Sequence, residues 1–186
     1  IGLSISTSYL LLTLIFKWVS FQKFEEGLQN QQIEYVEMDT KPSPLNAILW
    51  SSLIETDKGF RTAYYSLFDK QKVTYSKVFL KNHHLLEPYI EQKVIKQLID
   101  ISAGWYRIDE KNGKLLFWDL RFGQMGMDVD TASFLWYYEL NIDKNGIVSA
   151  IKRQPEIKNM SGIFSSLFNR AKAVSYTHLT LPTKVE

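Results

Sequence analysis

The amino-acid sequence predicts an α+β protein. A truncated transmembrane helix precedes a mostly antiparallel β-sheet domain of about seven strands with one central amphipathic helix and a short C-terminal helix. Three observations predict this. Residues 1–16 form an apolar run without a charge. From residue 32, short alternating runs are separated by turn residues. Between residues 85 and 102 the apolar period returns to about 3.6 residues. The soluble domain is expected over residues 32–173, after a membrane segment and its continuation over residues 1–31.

The composition excludes several classes of protein. The chain has 186 residues, of which 45% are hydrophobic and 14% aromatic, so it can form a hydrophobic core and is not disordered throughout. Its 22 basic and 20 acidic residues give a formal net charge of +2, so nucleic-acid binding driven by charge is not expected. The sequence contains no cysteine, which excludes disulfides, zinc ribbons, iron–sulfur clusters and thiol nucleophiles in this chain.

The N-terminal apolar run predicts a membrane-spanning helix. The run ends at Lys17, and the adjacent Trp18 suits the aromatic belt at a membrane interface. A span needs about 20 mostly apolar residues, so we expect the helix to begin before the first residue of this sequence. A signal peptide and a buried core helix are the alternatives, but no basic region or small-residue cleavage site flanks the run. An apolar stripe then continues beyond the membrane at helical spacing through Trp18, Phe21, Phe24 and Leu28.

Alternation of apolar and polar residues between turn signals predicts the strands. These runs are residues 33–37, 46–55, 60–68, 73–80, 105–109, 114–118, 133–142 and 147–153. Pro42 and Pro44 each fix their own φ and keep the preceding residue out of the helical region. We therefore expect the segment around these prolines to be a connector and not a strand interior.

Two Asn-Gly pairs predict tight hairpin turns. They are Asn112-Gly113 and Asn145-Gly146, each between two predicted strands. Two consecutive residues with positive φ are least costly at Asn-Gly, so both turns are expected to contain such a pair.

Helical periodicity predicts one central amphipathic helix and one short helix near the C-terminus. The central helix is expected as a single element over residues 85–102, with Pro88 near its start and Gly104 after its end. Its apolar stripe consists of Ile90, Val94, Leu98 and Ile101. The second helix is expected over residues 161–170, where apolar residues recur on one side and a basic end suits a helix C-terminus.

No metal ligand is assigned to this chain from its sequence. His83 and His84 are adjacent and point in different directions, so they cannot form the i, i+4 clamp of metal-binding helices. Asp128 and Asp130 would lie on one strand face and could hold Mg²⁺ or Ca²⁺, but a solvated loop is favoured because a third ligand is lacking. Residues 141–152 follow an EF-hand loop only superficially, because the first and twelfth positions lack the required acidic ligands.

Asp119 and Arg121 are the candidate ligand-binding residues. Strand alternation places the carboxylate and the guanidinium on one side, where they could bind an anionic group or pair with each other. The alternative is a structural ion pair that closes a strand. No nucleophile elbow, phosphate loop or dinucleotide fingerprint is present, so the catalytic residues are unknown. The large aromatic residues are interpreted as sheet core and not as a ligand box. They are Trp50, Tyr64, Tyr65, Trp105, Trp118, Trp136 and Tyr138.

Four segments carry a resemblance to a known family. They are Lys41-Pro-Ser-Pro-Leu-Asn-Ala-Ile-Leu-Trp50, Tyr64-Tyr-Ser-Leu-Phe-Asp69, Gly104-Trp-Tyr106 and Trp118-Asp-Leu-Arg-Phe-Gly123. In order and spacing they resemble the C-terminal region of a bacterial family of membrane-bound metal-dependent hydrolases, also described as inner-membrane-associated and LexA-binding. The resemblance extends over residues 1–172.

The resemblance implies several upstream membrane helices with His- and Asp-containing motifs. A divalent metal ion would bind there in the complete protein, and no catalytic residue is carried over onto this chain. It also implies the bacterial inner membrane as location and a LexA-like repressor as a partner, while the side of the membrane stays open. The residues alone leave an alternative open, a non-catalytic membrane-anchored β-rich binding or interaction domain.

The C-terminal residues 174–186 resemble a translated sequencing adapter. The stretch Val174-Ser-Tyr-Thr-His-Leu-Thr-Leu-Pro-Thr183 matches ten consecutive codons of a transposon adapter used in sequencing libraries. We therefore exclude these residues from the fold prediction. A genuine short β-prone tail is the alternative.

Overall fold

The computed structural model describes residues 2–44, 46–125, 129–130, 133–155 and 160–172. The elements are, in chain order, α1 (Gly2–Asn30), β1 (Glu37–Pro42), β2 (Leu49–Glu55), β3 (Gly59–Ser66), β4 (Phe79–Leu80), a 3₁₀ helix (His83–Tyr89), α2 (Lys93–Ser102), β5 (Tyr106–Lys111), β6 (Lys114–Met125), β7 (Ser133–Ile142), β8 (Val148–Arg153) and α3 (Met160–Ala171). The protein is α+β, as the sequence predicts, with a long apolar N-terminal helix, antiparallel sheets and a short C-terminal helix.

The strands of the described residues form two four-stranded sheets in sequence order, β1–β4 and β5–β8, which we call the first and the second sheet. Every neighbouring pair is antiparallel. The predicted hairpin of β2 and β3 is confirmed, and its turn is closed by Thr56, whose N–H donates to the carbonyl of Gly59 over 2.8 Å. Short connections favour this sequential pairing, which explains why local patterns predicted most of the strands.

The core consists of separate clusters on the faces of the two sheets. One face of the first sheet packs against α1, and its other face, through Leu53 and Phe60, meets Leu120 and Phe134 of the second sheet. The far face of the second sheet, centred on Phe117, is covered by α2 and the 3₁₀ helix. Because side chains alternate along a strand, each sheet serves two clusters at once.

Helix α1 changes its environment along its length. None of its most apolar 18-residue window is buried, and by length and composition it could cross a membrane as an anchor or act as a signal sequence. In the C-terminal part of the helix four residues are buried, Ser20, Phe24, Gly27 and Leu28. Phe24 and Leu28 pack against the first sheet. The predicted continuation of the helix beyond the apolar run is confirmed, and of the predicted stripe Phe24 and Leu28 are buried whereas Trp18 is exposed.

The single helix predicted over residues 85–102 is wrong, because the structure divides this stretch. The 3₁₀ helix contains Pro88, and Gln92 is extended, with φ −74° and ψ 137°, before α2 begins. The Gln92 side chain explains the break. Its amide nitrogen donates to the carbonyl of Gly146 over 2.7 Å, and its amide oxygen accepts the N–H of Val148 over 2.8 Å. Local periodicity cannot predict these hydrogen bonds, because the β7–β8 turn lies more than fifty residues away in the sequence.

The strand predicted over residues 73–80 is mostly irregular. Only its last two residues form β4, and Tyr75 makes an isolated bridge to Ala63. The segment turns instead toward α1, where the Tyr75 hydroxyl donates to the carbonyl of Phe24 over 2.5 Å. Gly27 permits this approach, because a Cβ there would lie 2.6 Å from the Tyr75 hydroxyl oxygen.

Pro42 is the last residue of β1, whereas the sequence pattern predicts that it lies in a connector. The strand extends through Lys41 to Pro42, which lies opposite Trp50. Because β1 is an edge strand of the first sheet, the missing N–H of proline is tolerated there. The expected connector is therefore shorter than predicted.

The two predicted Asn-Gly turns differ in detail. Asn112 and Gly113 have φ angles of 53° and 72°, so this turn contains the expected pair of positive φ angles. In the second turn only Gly146 has a positive φ, of 77°. There the Asp143 carboxylate accepts the N–H groups of Asn145 and Ile147 over 2.8 and 2.9 Å, which stabilises a longer loop.

Two of the sequence predictions lie outside the described residues or only partly within them, namely the adapter-like tail and the pair Asp128 and Asp130. The adapter-like residues 174–186 and Asp128 lie outside. Asp130 is described, and its carboxylate accepts the backbone N–H of Lys77 over 2.6 Å. This contact ties the loop after β6 to the segment before β4.

Candidate functional site

The structure brings Asp119 and Arg121 together at a bulge in β6. Arg121 Nε and Nη2 donate to Asp119 Oδ1 and Oδ2 over 3.0 and 2.7 Å, and the backbone N–H of Arg121 also donates to Oδ1. Pairing of β6 with β7 is interrupted between Asp119 and Gln124, where Gly123 has a φ of 74°. The bulge therefore creates the turn in which this bidentate pair forms.

The two members of this pair differ in exposure. Asp119 is 2% exposed, so its carboxylate is fully engaged by Arg121. The guanidinium of Arg121 lies nearer the surface, 5.3 Å from the ring centre of Phe122, and its hydrogen bond to Asp119 raises the pKa of Arg121 above its ordinary range. Any anion that binds here would meet the guanidinium and not the carboxylate. Ligand binding by this pair stays a prediction.

A cavity of about 470 Å³ lies where the two sheets meet, within the size range of small-molecule sites. Aromatic residues and polar residues share its wall. Its lining includes Phe79, Arg107, Asp109, Trp118 and Phe134. Such a mixture of apolar surface and a few polar groups is typical of ligand sites.

Two buried donors belong to residues that line this cavity. Arg107 pairs with Asp109, yet its Nε–H has no hydrogen-bond partner among the described residues, and the same is true of Trp118 Nε1–H. An unsatisfied buried donor costs about 1–3 kcal/mol. A ligand with a carboxylate, phosphate or carbonyl oxygen would offset that cost if it reached these donors.

The sequence pattern does not predict this cavity. It favours a place in the sheet core for Trp118 and does not distinguish Arg107 from other charged residues. The available signal was the alternation of β5, in which Arg107 lies between the buried Tyr106 and Ile108 and therefore faces the opposite side of the sheet, opposite Trp118 across the strand pair. A charged residue on a sheet face that is otherwise apolar indicates a polar site on that face.

His83 is embedded in a stack of aromatic rings. Its ring lies 4.0 Å from that of Tyr106, which in turn stacks on Phe117 at 4.6 Å. Nε2 of His83 is 2.8 Å from the carbonyl oxygen of Tyr106, whereas His84 is exposed. No group of three or more His, Asp or Glu residues that could hold a metal ion occurs in the part of the chain that the structure describes.

Acidification is expected to destabilise the protein through His83. Burial lowers the pKa of this imidazole below 6.5. The hydrogen bond to the Tyr106 carbonyl and the charge of Glu55 oppose this shift in the pKa, and Lys81 adds to it. The unfolded chain therefore binds a proton more readily, so the free energy of unfolding falls as the pH drops below about 6.5. Urea unfolding at about pH 7.5 and 5.5 measures this loss.

The matched control for this prediction is His83→Gln, which keeps a hydrogen-bonding side chain but cannot titrate. Its stability is expected to change less than that of the unaltered protein between the two pH values. Because His84 and the carboxylates are the same in both proteins, their contributions cancel in the comparison. Equal pH dependence of the two proteins would contradict the assignment to His83.

Comparison of this chain with protein-family models, with curated proteins and with solved structures finds no match. Its function must therefore be argued from three features of the chain itself. These are the exposed apolar part of α1, the cavity between the sheets and the Asp119–Arg121 pair.

Proposed function

We propose that this chain is the C-terminal part of a bacterial membrane-bound metal-dependent hydrolase and that α1 anchors it in the inner membrane. One observation carries the anchoring part. The most apolar window of α1 has none of its residues buried, although the helix continues without a break into the domain. Exposed leucines on every face of a helix are stable in lipid and unfavourable in water.

The end of the apolar window suits a membrane boundary. Lys17 and the exposed Trp18 follow the apolar run, and Lys and Trp are the residues that interfacial regions favour. The first buried residue of the helix, Ser20, comes directly afterwards. The soluble domain would therefore begin within one helical turn of the lipid, without a flexible linker.

The hydrolase part of the proposal is supported by the four family-like segments. Since the resemblance places the metal-binding motifs upstream of this chain, the domain described here would position or cover substrate at the membrane surface and would not carry out the chemistry. The divalent metal ion, and a LexA-like repressor as a partner, belong to the same proposal through the family resemblance.

A second candidate function is a non-catalytic membrane-anchored binding domain. The cavity favours it, because Arg107 Nε–H and Trp118 Nε1–H have no hydrogen-bond partner among the described residues, and buried donors are usually satisfied. Both functions share the anchor. They differ in whether upstream helices contribute a metal site.

Membrane extraction tests the anchor. The chain with a C-terminal tag is expected to stay in bacterial membranes during a carbonate wash and to leave only with detergent, with the apolar part of α1 retained in its mass. The variant Leu10→Arg with Leu11→Arg is expected to lose membrane association, because each charge costs about 2.5–3.5 kcal/mol near the centre of a span. Both leucines are exposed, so the fold should persist.

The matched control is Ile147→Arg, which places a charge at an exposed position far from α1. It is expected to stay in the membrane fraction. Release of the unaltered chain by carbonate, or a mass that shows removal of the apolar part of α1, would refute the anchor and favour a signal sequence.

The hydrolase part needs the longer protein that contains this chain. We expect this protein to hold a divalent metal ion after purification and to hydrolyse lipid-like, peptide or phosphoester substrates in a chelator-sensitive manner. Absence of both metal and activity from the complete protein would leave the anchored binding domain as the function.

A further inference from the structure

Helix α1 enters the domain at a defined end of the first sheet. The ring of Phe24 lies 6.2 Å from that of Tyr65, which is opposite Trp50 near the start of β2. After the helix, the N–H of Val36 donates to the carbonyl of Glu55, the last residue of β2, over 2.8 Å. The helix therefore crosses the sheet from the end with Trp50 to the end with Glu55. We call the former the entry end.

Two segments besides α1 meet at the entry end. Beyond β3, the N–H of Phe68 donates to Ser66 Oγ over 3.3 Å, and Ser66 Oγ itself donates to the carbonyl of Ala171 in α3 over 2.5 Å. Arg170 fixes the same helix with a bidentate pair to Asp69, at 2.6 and 2.7 Å. The turn after β3 and the C-terminal part of α3 are thus held together.

The bulge of β6 belongs to the entry end as well. Lys41, next to the last residue of β1, donates from Nζ to the backbone carbonyl of Arg121 over 3.2 Å. Since Pro42 is opposite Trp50, this contact brings Phe122 to the same end of the first sheet. The second sheet thereby contributes the bulge of β6 to the entry end.

Exposed aromatic side chains concentrate at this end. Outside α1, three large apolar side chains that the structure describes as exposed are aromatic, namely Phe68, Phe122 and Phe168. One comes from each of the three segments. The other exposed large apolar side chains outside α1 are aliphatic, and Val36 and Ile147 among them lie at other ends of the sheets. Exposed phenylalanines at one end are unusual for a surface that faces only water.

Basic residues accompany these rings. Lys172 Nζ lies 4.4 Å from the ring centre of Phe168, and Arg121 lies 5.3 Å from that of Phe122. Lys70 follows Phe68 by two residues, and neither it nor Lys172 makes a salt bridge within the described part of the chain. Aromatic rings with basic neighbours are typical of surfaces that enter the headgroup region of anionic membranes.

We propose that the entry end is a second membrane-contact surface, through which Phe68, Phe122 and Phe168 enter the lipid headgroup region while neighbouring basic residues bind lipid phosphates. This inference rests on the proposed anchoring by α1. The helix brings this end, and not the opposite one, next to the bilayer. The domain then lies on the membrane in a fixed orientation, with the opposite end directed away from it.

Single labels test the surface in the complete chain. The sequence contains no cysteine, so Phe68→Cys, Phe122→Cys, Phe168→Cys and Ile147→Cys can each carry one environment-sensitive fluorophore. The variants are reconstituted in vesicles of phosphatidylcholine and phosphatidylglycerol with a lipid quencher near the headgroups. Leu11→Cys, in the exposed apolar part of α1, reports insertion of the anchor through a quencher in the acyl chains.

We expect quenching at positions 68, 122 and 168 to exceed that at position 147 by about twofold or more. Strong quenching at position 11 with equal, weak quenching at the other four would overturn the second surface and leave the anchor intact. No quenching at position 11 would instead overturn the anchor. Circular dichroism of each labelled variant confirms that it is folded.

The basic residues have their own matched control. Lys70→Gln with Lys172→Gln is expected to reduce quenching at position 168, whereas Lys58→Gln with Lys144→Gln, in turns away from the entry end, should leave it unchanged. Equal effects of the two pairs would overturn the role of the basic residues in lipid binding.

Discussion

Replacing Phe24 by alanine is expected to lower the free energy of unfolding by about 3–5 kcal/mol, the usual cost of a phenylalanine deleted from a core. Phe24 is 0% exposed and lies edge-on to Tyr65. It belongs to the cluster that joins α1 to the first sheet, where its neighbours include Trp50 and Ile54. Urea unfolding in nanodiscs, followed by tryptophan fluorescence, measures the change.

Leu11→Ala is the control on the same helix. Leu11 is 56% exposed, and no part of the apolar window around it is buried, so its truncation should leave the stability of the domain nearly unchanged. Similar effects of both substitutions would mean that the two parts of α1 do not differ as described. A small effect of Phe24→Ala alone would mean that the helix is not part of the core.

The division of α1 into an exposed apolar part and a buried part bears on the proposed anchoring. A flexible linker would let the domain rotate freely above the bilayer, whereas a helix shared by membrane and core limits its orientation. If α1 anchors the chain as proposed, the buried residues between Ser20 and Leu28 fix the orientation of the first sheet relative to the anchor. A cavity or ion pair on this domain would then stand at a fixed height above the lipid.

The elements that depend on local pattern could be predicted from the sequence. The apolar helix needs only a run of residues, and the hairpins need alternation with turn residues such as Asn112 and Gly113. These signals are contained in a few consecutive residues. They gave the α+β class, the hairpin of β2 and β3, and α3.

The elements that depend on distant partners could not be predicted. Gln92 interrupts the predicted helix because its amide reaches a turn more than fifty residues away, at Gly146. The segment before β4 keeps only the isolated bridge of Tyr75 to Ala63, while the Tyr75 hydroxyl donates to the Phe24 carbonyl of α1. In both cases a tertiary hydrogen bond overrides the local period, and nothing in the neighbouring residues indicates it.

Of the two candidate sites, one depends on local pattern and the other on distant partners. Asp119 and Arg121 are two residues apart, so alternation alone placed them on one side, and the structure joins them. The cavity instead needs residues from both sheets, including Phe79, Arg107 and Phe134. Only the packing of one sheet against the other, which no local pattern specifies, brings these side chains together.

The second large effect is expected for Arg121→Ala, which should lower the free energy of unfolding by about 3–5 kcal/mol. The substitution leaves the carboxylate of Asp119 buried without the two guanidinium donors that now satisfy it. The backbone N–H of residue 121 would remain as a donor to Asp119, so the buried carboxylate would keep one hydrogen bond and most of its desolvation cost would be uncompensated. Thermal or urea unfolding with circular dichroism provides the measurement.

Two further variants separate a structural ion pair from a ligand site. Lys114→Ala removes the partner of Glu139 in a more exposed pair and should cost no more than about 1 kcal/mol. The double variant Asp119→Asn with Arg121→Gln replaces the buried charges by neutral hydrogen-bonding groups, so it should regain much of the stability lost in Arg121→Ala.

If Arg121→Ala leaves the melting temperature unchanged but alters the binding of an anionic ligand, the guanidinium acts as a binding group. A loss of stability that the double variant restores instead means that the pair closes the bulge of β6, and ligand binding must then be sought at the cavity between the sheets.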